Sequence, residues 1–145
     1  MFRKIGSITV VGIIITIFCF FGFLRSPQKQ IISYVQEHVD ELTCAAVKAL
    51  DTGSVKDIQC QDIESIFYLA DPPVIAFRYQ CSGGMASTSY YGFYYSKRGD
   101  PVGFQGVDMS FVMTEAGWVW HEQGGDNWYC TKLIMPNWYL YEMHF

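Results

Sequence analysis

An apolar run near the N-terminus constrains this chain more than any other feature. Residues 5–24 read IGSITVVGIIITIFCFFGFL and carry no charged side chain over twenty positions. A helix needs about 20 predominantly apolar residues to cross the hydrocarbon core of a bilayer. The run therefore predicts a transmembrane helix over residues 5–24, with residues 1–4 on one side of the membrane and a domain of residues 25–145 on the other.

The end of this run favours an uncleaved signal-anchor. A cleaved signal peptide has a shorter apolar core, of about 7 to 15 residues, followed by small residues at the cleavage site. This chain has the bulky residues Phe21, Phe23 and Leu24 in that region. Cys19 follows Phe18, whereas lipid-attachment signals have a small side chain before the cysteine, so a lipoprotein is not favoured.

Charge placement predicts the orientation of the anchor. Basic residues near a membrane span tend to stay on the cytoplasmic side. Arg3 and Lys4 precede the run, and two basic residues also follow it closely, so the local asymmetry is slight. From Ser26 onward the chain has fourteen acidic and seven basic residues, a net charge of −7. We expect residues 1–4 in the cytoplasm and an acidic extracytoplasmic domain, which does not favour binding to nucleic acid or to an anionic lipid surface.

The predicted domain contains four candidate disulfide cysteines. They are Cys44, Cys60, Cys81 and Cys130. An even number of cysteines in an oxidising space is consistent with disulfides, and three pairings are open. The alternative is that they are buried free thiols, which behave as small hydrophobic residues. Because no two of them form a C-x-x-C pair, the sequence supports neither a zinc ribbon nor a thioredoxin-like redox site, and we expect no metal or cofactor.

The segment after the run predicts one amphipathic helix. Ser26 suits the N-cap and Pro27 the first helical position, while Gly53 is a stop signal. Between these signals the apolar residues recur every three or four positions, at Ile31, Val35, Val39, Leu42, Ala46 and Leu50. This spacing predicts a helix that packs through a single face.

Beyond Gly53 the pattern becomes that of β-strands. Residues 74–81, VIAFRYQC, alternate between two sides, and residues 87–96, STSYYGFYYS, have tyrosines on both sides. Further candidate strands are SIFYL at residues 65–69, VGFQGVDMSFVM at 102–113, GWVWHE at 117–122, and the two segments around the repeated Asn-Trp-Tyr at 127–129 and 137–139. We count five to seven strands.

These elements predict an α+β domain with an antiparallel sheet, one face of which packs on the helix. In its order of elements, one helix followed by an antiparallel sheet, the domain resembles the cystatin-like or nuclear-transport-factor-like general shape, and also the ectodomain of type IV pilin-type proteins. The resemblance implies the general shape of the fold. It does not imply a function, because one fold supports many functions.

Aromatic residues are the most prominent chemical feature of the domain. Most of them are explained by strands that alternate in burial. However, several strands are apolar on both sides, and one helix covers only one face of a sheet. The spare face is then either covered by long turns or offered to a partner, which we expect to be a protein or an envelope polymer. The candidate contact residues are Trp118, Trp120, Trp128, Trp138, Tyr90 and Tyr94.

An enzymatic alternative rests on the segment HEQGGD. His121, Glu122 and Asp126 lie close together in sequence and could form an acid–base or ion site. Against this interpretation, carboxylates beside a Gly-Gly turn are usually solvated turn residues. No metal-binding or nucleophile–base spacing accompanies them. A binding domain is therefore the preferred hypothesis.

Overall fold

A computed structural model describes residues 26–84, 87–103 and 109–145, and in these residues two helices pack on a seven-stranded antiparallel sheet. The helices are α1 (Pro27–Glu37) and α2 (Val39–Thr52), and the strands are β1 (Ser65–Ala70), β2 (Pro73–Gly84), β3 (Ser87–Ser96), β4 (Val112–Thr114), β5 (Gly117–His121), β6 (Trp128–Met135) and β7 (Trp138–His144). None of the helices in the described residues is long and apolar enough to cross a bilayer. The predicted transmembrane run of residues 5–24 lies outside the described residues.

The helical region begins and ends where the sequence predicts. The hydroxyl of Ser26 accepts a hydrogen bond from the backbone N–H of Lys29 at 3.4 Å, and Pro27 occupies the first turn. At the other end Gly53 adopts a left-handed conformation with φ of 63°, and its backbone N–H donates to the carbonyl of Ala49. Glycine adopts this conformation without the steric cost that a side chain would add.

The prediction of one continuous helix is wrong, because the helix breaks at His38. The backbone of His38 has φ of −117° and ψ of 17°, outside the helical region. Its ring Nδ1 lies 2.9 Å from the carbonyl oxygen of Tyr34, which also accepts the backbone N–H of His38 at 3.1 Å. The ring also stacks on Tyr34 with centroids 4.5 Å apart. A side chain that hydrogen-bonds to the preceding turn competes with the regular helical bonding and bends the helix.

The sheet consists of two meanders joined along its centre. The strand order is β1-β2-β3-β7-β6-β5-β4, and all neighbours are antiparallel. Because β3 is central and β4 is at the far edge, the chain between them has to pass over three strands. We call its described parts, residues 97–103 and 109–111, the crossing segment. A strand over residues 102–113 was predicted, and among the described residues of this region Val112–Thr114 pair in the sheet.

Each face of the sheet carries its own hydrophobic cluster. On the helix face the two helices bury their stripe against residues of β2, β3 and β7, with Ile31, Val35, Leu42, Ala46, Ile75, Phe77, Phe93, Trp138 and Leu140 at the centre. On the opposite face, here called the loop face, the crossing segment packs on Val74, Ala76, Tyr94, Tyr129, Tyr139 and Tyr141. The second cluster positions the candidate site.

Candidate functional site

The loop face contains an open cleft of about 590 Å³ beside the crossing segment. This volume lies in the range of about 300–1,000 Å³ that is typical of small-ligand sites. Its walls are aromatic and aliphatic except for one arginine: they comprise Phe67, Leu69, Val74, Ala76, Arg78, Tyr90, Tyr94, Val102, Gly103, Tyr129, Tyr141, Met143 and Phe145. The described residues of the loop face thus form a largely apolar concavity beside the crossing segment.

Two small residues in neighbouring strands explain the shape of the cleft. Ala76 pairs with Phe67 of β1 on one side and with Tyr94 of β3 on the other, so a methyl group lies between two large rings. Gly92 pairs with Tyr141, and a Cβ atom at Gly92 would lie only 2.5 Å from the ring and hydroxyl of that tyrosine. The missing side chain allows the Tyr141 ring to lie close over the sheet. The floor of the cleft is therefore formed by the small side chain of Ala76, and aromatic rings lie on either side of it.

Three tyrosine hydroxyls fasten the crossing segment to the sheet. Tyr94 accepts the backbone N–H of Val102 at 2.9 Å, and Tyr129 donates to the carbonyl of Val102 at 3.0 Å. Tyr139 donates to the carbonyl of Gly99 at 2.5 Å. The first two bonds satisfy the backbone N–H and carbonyl of Val102, which would otherwise be buried without partners. One wall of the cleft is thus held by hydrogen bonds from the sheet to an irregular segment.

The hydrogen bonds made by the hydroxyls of Tyr94 and Thr131 have a defined direction. Thr131 donates its hydroxyl proton to the carbonyl of Leu140 at 2.8 Å, so it accepts from the Tyr94 hydroxyl, which lies 2.9 Å away. Burial raises the pKa of Tyr94, Tyr129 and Tyr141 above the usual value, because the phenolate would have to be desolvated. These tyrosines are therefore neutral donors and acceptors over the physiological range.

Arg78 is the charged residue of the cleft wall. Its guanidinium carbon lies 5.5 Å from the ring centroid of Phe67 and 5.9 Å from that of Tyr90. The Nε atom is 3.3 Å from a carboxylate oxygen of Glu64, but it is buried without a hydrogen-bond partner among the described residues. The contact with Glu64 is therefore an ion pair without hydrogen-bond geometry. A guanidinium over aromatic faces is stabilised by cation–π attraction while it keeps its hydrogen-bond donors.

Four of the six predicted contact residues lie on the loop face. Tyr90 and Tyr94 line the cleft itself. Trp118 and Trp120 are half-buried and pack in the same cluster, and the Trp118 ring meets Tyr139 edge-on with centroids 6.0 Å apart. The structure thus brings these four residues to one side of the sheet, where two of them form the site and two flank the crossing segment.

The other two tryptophans lie elsewhere. Trp138 is 1% exposed and packs in the helix-face core against Phe77 and Phe93, with its indole N–H donating to Thr43 at 3.3 Å. Its burial leaves no surface for a partner, so it is a core residue. Trp128 is half-buried and pairs with His144 across the sheet. Neither residue contributes to the cleft.

The residues of the enzymatic alternative are exposed at one hairpin. His121 ends β5, and Glu122 and Asp126 lie in the turn that follows. The backbone N–H of Glu122 donates to the carbonyl of Asn127 at 2.9 Å, which closes the hairpin. Among the described residues no side-chain hydrogen bond or ion pair joins His121 to either carboxylate, and no group of three metal-ligating side chains comes together. In the described residues these side chains therefore belong to an exposed hairpin turn.

The four candidate disulfide cysteines are distributed over the fold as free thiols. Cys44 lies on α2, Cys81 on β2 and Cys130 on β6, and Cys60 lies in the connection between α2 and β1. Burial raises the pKa of the thiols of Cys60 and Cys130, which disfavours the reactive thiolate. The structure pairs none of the four, and the disulfides stay a prediction.

A second polar cluster was not anticipated from the sequence. The ring of His144 lies between two serines, with Nδ1 2.9 Å from the hydroxyl of Ser89 and Nε2 3.1 Å from that of Ser87. It also stacks on Trp128 with centroids 6.0 Å apart. Both ring nitrogens of His144 thus lie within hydrogen-bond distance of a serine hydroxyl. The arrangement fixes the ring across β3 and β7 on the surface of the sheet.

The cleft residues Ala76 and Arg78 were also missed as site residues. Their signal was present in the alternation of residues 74–81, where an alanine and an arginine share one side of a strand that is otherwise strongly apolar. A small residue and a charged residue at alternating positions of a strand indicate that this face of the sheet is not packed as a hydrophobic core. What the alternation did not contain was the crossing segment that turns this face into a cleft.

The chain matches no protein-family model, no curated protein and no solved structure.

Proposed function

We propose that the chain is a membrane-anchored extracytoplasmic binding domain whose binding site is the cleft on the loop face. In this proposal residues 5–24 form a signal-anchor, residues 1–4 are cytoplasmic, and residues 25–145 form the extracytoplasmic domain, in a cystatin-like or nuclear-transport-factor-like general shape. The apolar run of residues 5–24 and the acidic composition of the rest of the chain support this topology.

The observation that carries the proposal is the largely apolar cleft of about 590 Å³. Burying apolar surface in such a cleft is favourable by roughly 25 cal/mol per Å² of area removed from water. Phe67 and Phe145, both lining the cleft, remain 41% and 38% exposed, so part of the wall is available for contact. A partner that presents an apolar group is therefore expected to insert it over Ala76.

Site-resolved photolabelling tests this proposal. The full chain would be reconstituted in lipid nanodiscs and labelled with a small neutral photoprobe, trifluoromethyl-phenyl-diazirine, and the labelled positions would be mapped by mass spectrometry. We expect labelling of cleft residues on β2 and β7 in addition to labelling of residues 5–24. The labelling of residues 5–24 is the internal reference for probe concentration.

The matched variants are Ala76→Trp, which fills the floor of the cleft, and Val112→Trp, which adds the same side chain at an exposed position of the edge strand. We expect Ala76→Trp to abolish labelling of the cleft and Val112→Trp to leave it unchanged. Equal labelling of the cleft in the two variants, or its absence in the unmodified chain, would contradict the proposal.

A further inference from the structure

Among the described residues that line the cleft, the charged side chain is that of Arg78, and its sign is opposite to the net charge of the domain. The chain from Ser26 onward has a net charge of −7. Net charge acts at long range and is screened by salt, while a ligand inside the cleft experiences chiefly the nearest group. The cleft therefore combines an apolar floor with a local preference for a negatively charged group.

Arg78 has an unsatisfied hydrogen-bond donor beside the cleft. A guanidinium has five N–H donors, and the Nε of Arg78 is buried without a hydrogen-bond partner among the described residues. Glu64 neutralises part of the charge at 3.3 Å, and the rings of Phe67 and Tyr90 hold the guanidinium in place. A carboxylate can accept two parallel hydrogen bonds from such a group, which fixes its orientation.

One end of the cleft, at Met143, lies on the part of β7 that the first turn of α1 contacts from the other face. The proposed anchor ends at residue 24, two residues before Ser26. Gln28, in the first turn of α1, donates a hydrogen bond to Glu142 of β7 at 2.6 Å. The next residue of that strand, Met143, lines the cleft from the other face. The start of the domain and this end of the cleft are thus separated by the thickness of the sheet.

We propose that the cleft binds a single-chain amphipathic carboxylate of the fatty-acid class, taken from the membrane to which the chain is anchored. The carboxylate pairs with Arg78, and the hydrocarbon chain lies over Ala76 beneath Val102. The inference rests on the proposed function, because it names the ligand of the same cleft. The volume of about 590 Å³ suits a small single-chain molecule, and the phenyl and phenol rings supply an apolar surface for it.

A matched pair of photoprobes tests this inference. Palmitic acid and palmityl alcohol, each with the same diazirine in mid-chain, would be incorporated into nanodiscs that hold the full chain, and labelling of the cleft would be divided by labelling of residues 5–24. We expect the acid to label the cleft about tenfold more than the alcohol, the effect of one charge-assisted hydrogen-bonded pair. A diacyl phosphatidic acid probe serves as the third arm.

Three variants complete the design. Arg78→Gln should reduce labelling by the acid to the level of the alcohol, and Arg78→Lys, which keeps the charge without the bidentate geometry, should give an intermediate value. Arg98→Gln, at an exposed arginine of the crossing segment, should leave the ratio unchanged. Circular dichroism of each variant would confirm that the fold is retained.

The outcomes separate this inference from the proposed function. If acid and alcohol label the cleft equally, or if Arg78→Gln leaves labelling by the acid unchanged, the carboxylate assignment is wrong while the apolar cleft stands. If the diacyl probe labels the cleft as strongly as palmitic acid, the single-chain assignment is wrong. If none of these probes labels the cleft, and trifluoromethyl-phenyl-diazirine does not label it either, the proposed function itself is overturned.

Discussion

On the helix face, Phe77 and Phe93 stack with centroids 4.9 Å apart and pack against Trp138 beneath two amphipathic helices. On the loop face, tyrosine rings occupy the corresponding positions, and their hydroxyls hold an irregular segment. Helices satisfy their own backbone groups and can cover a face by apolar contact alone. An irregular segment needs hydrogen-bond partners for its backbone, so the described parts of the crossing segment are held to the loop face by polar contacts. The open cleft on the loop face thus reflects the irregular segment that packs there in place of helices.

The largest expected effect is on the helix face. Phe93→Ala removes a fully buried ring that contacts Phe77, Trp138 and Tyr34. We expect the free energy of unfolding to fall by about 3–5 kcal/mol, which is typical of a buried phenylalanine replaced by alanine. Urea unfolding of the full chain in detergent, followed by tryptophan fluorescence, measures this change. A loss below about 1 kcal/mol would show that the helix face is not the main core.

A smaller loss of stability is expected at the hydrogen bond between Tyr94 and the crossing segment. Tyr94→Phe keeps the ring but leaves the backbone N–H of Val102 without its partner. We expect a loss of about 1–3 kcal/mol, the cost of an unsatisfied buried polar group. Hydrogen exchange should also become faster in residues 97–103. Tyr90→Phe, in the same strand but without a hydrogen bond to a described residue, is the control and should change neither quantity.

High pH should weaken the loop face through the same hydroxyls. Burial raises the pKa of Tyr94, Tyr129 and Tyr141, so the folded state keeps its phenol protons longer than the unfolded state does. Their contribution to stability is therefore fully present below the unfolded value of about 10 and falls as the pH rises above it. On the helix face burial raises the pKa of Tyr34 to about 12, and it also raises the pKa of Tyr91.

Ultraviolet absorbance of the phenolate, recorded alongside circular dichroism, measures this dependence. We expect the late-titrating tyrosines to ionise together with loss of the fold above pH about 10, and Tyr94→Phe to make the fall in stability less steep. Ionisation of all ten tyrosines near the ordinary value in an intact fold would contradict the burial of these hydroxyls.

The smallest effect is expected at the hairpin of the enzymatic alternative. His121→Ala alters an exposed side chain that makes no side-chain bond to Glu122 or Asp126. We expect a change in unfolding free energy within about 0.5 kcal/mol, as for surface substitutions away from special features. Photolabelling of the cleft should also be unchanged. A loss of cleft labelling in this variant would instead connect the hairpin with the binding site.

Much of the fold could be predicted from local patterns in the sequence. The caps at Ser26 and Gly53, the apolar stripe and the alternating strands are local, and the structure confirms an α+β domain with an antiparallel sheet. The break at His38 could not be predicted, because it depends on the histidine ring turning back to the carbonyl of Tyr34. Sequence periodicity reports the apolar face of a helix and not its straightness.

The candidate site was predicted only in outline. A spare aromatic face follows from apolar residues on both sides of strands that one helical layer cannot cover. The cleft, however, depends on pairings between distant strands, such as Ala76 with Phe67 and Tyr94, and on the path of the crossing segment. The presence of tryptophans does not predict that Trp138 lies in the core and Trp118 on the loop face, because the face that each side chain occupies depends on the register of its strand.

Adjacent cysteine substitutions in β2 test whether the cleft on the loop face is open. Ile75 and Ala76 are consecutive in β2, and their side chains belong to the helix-face and loop-face clusters. Ile75→Cys and Ala76→Cys would each be exposed to a small apolar thiol reagent, methyl methanethiosulfonate, in the folded full chain, and modification would be localised by mass spectrometry. We predict that position 76 is modified in the folded protein and is protected by a ligand in the cleft, whereas position 75 reacts only after unfolding. Equal protection of the two positions would contradict the existence of an open cleft on the loop face.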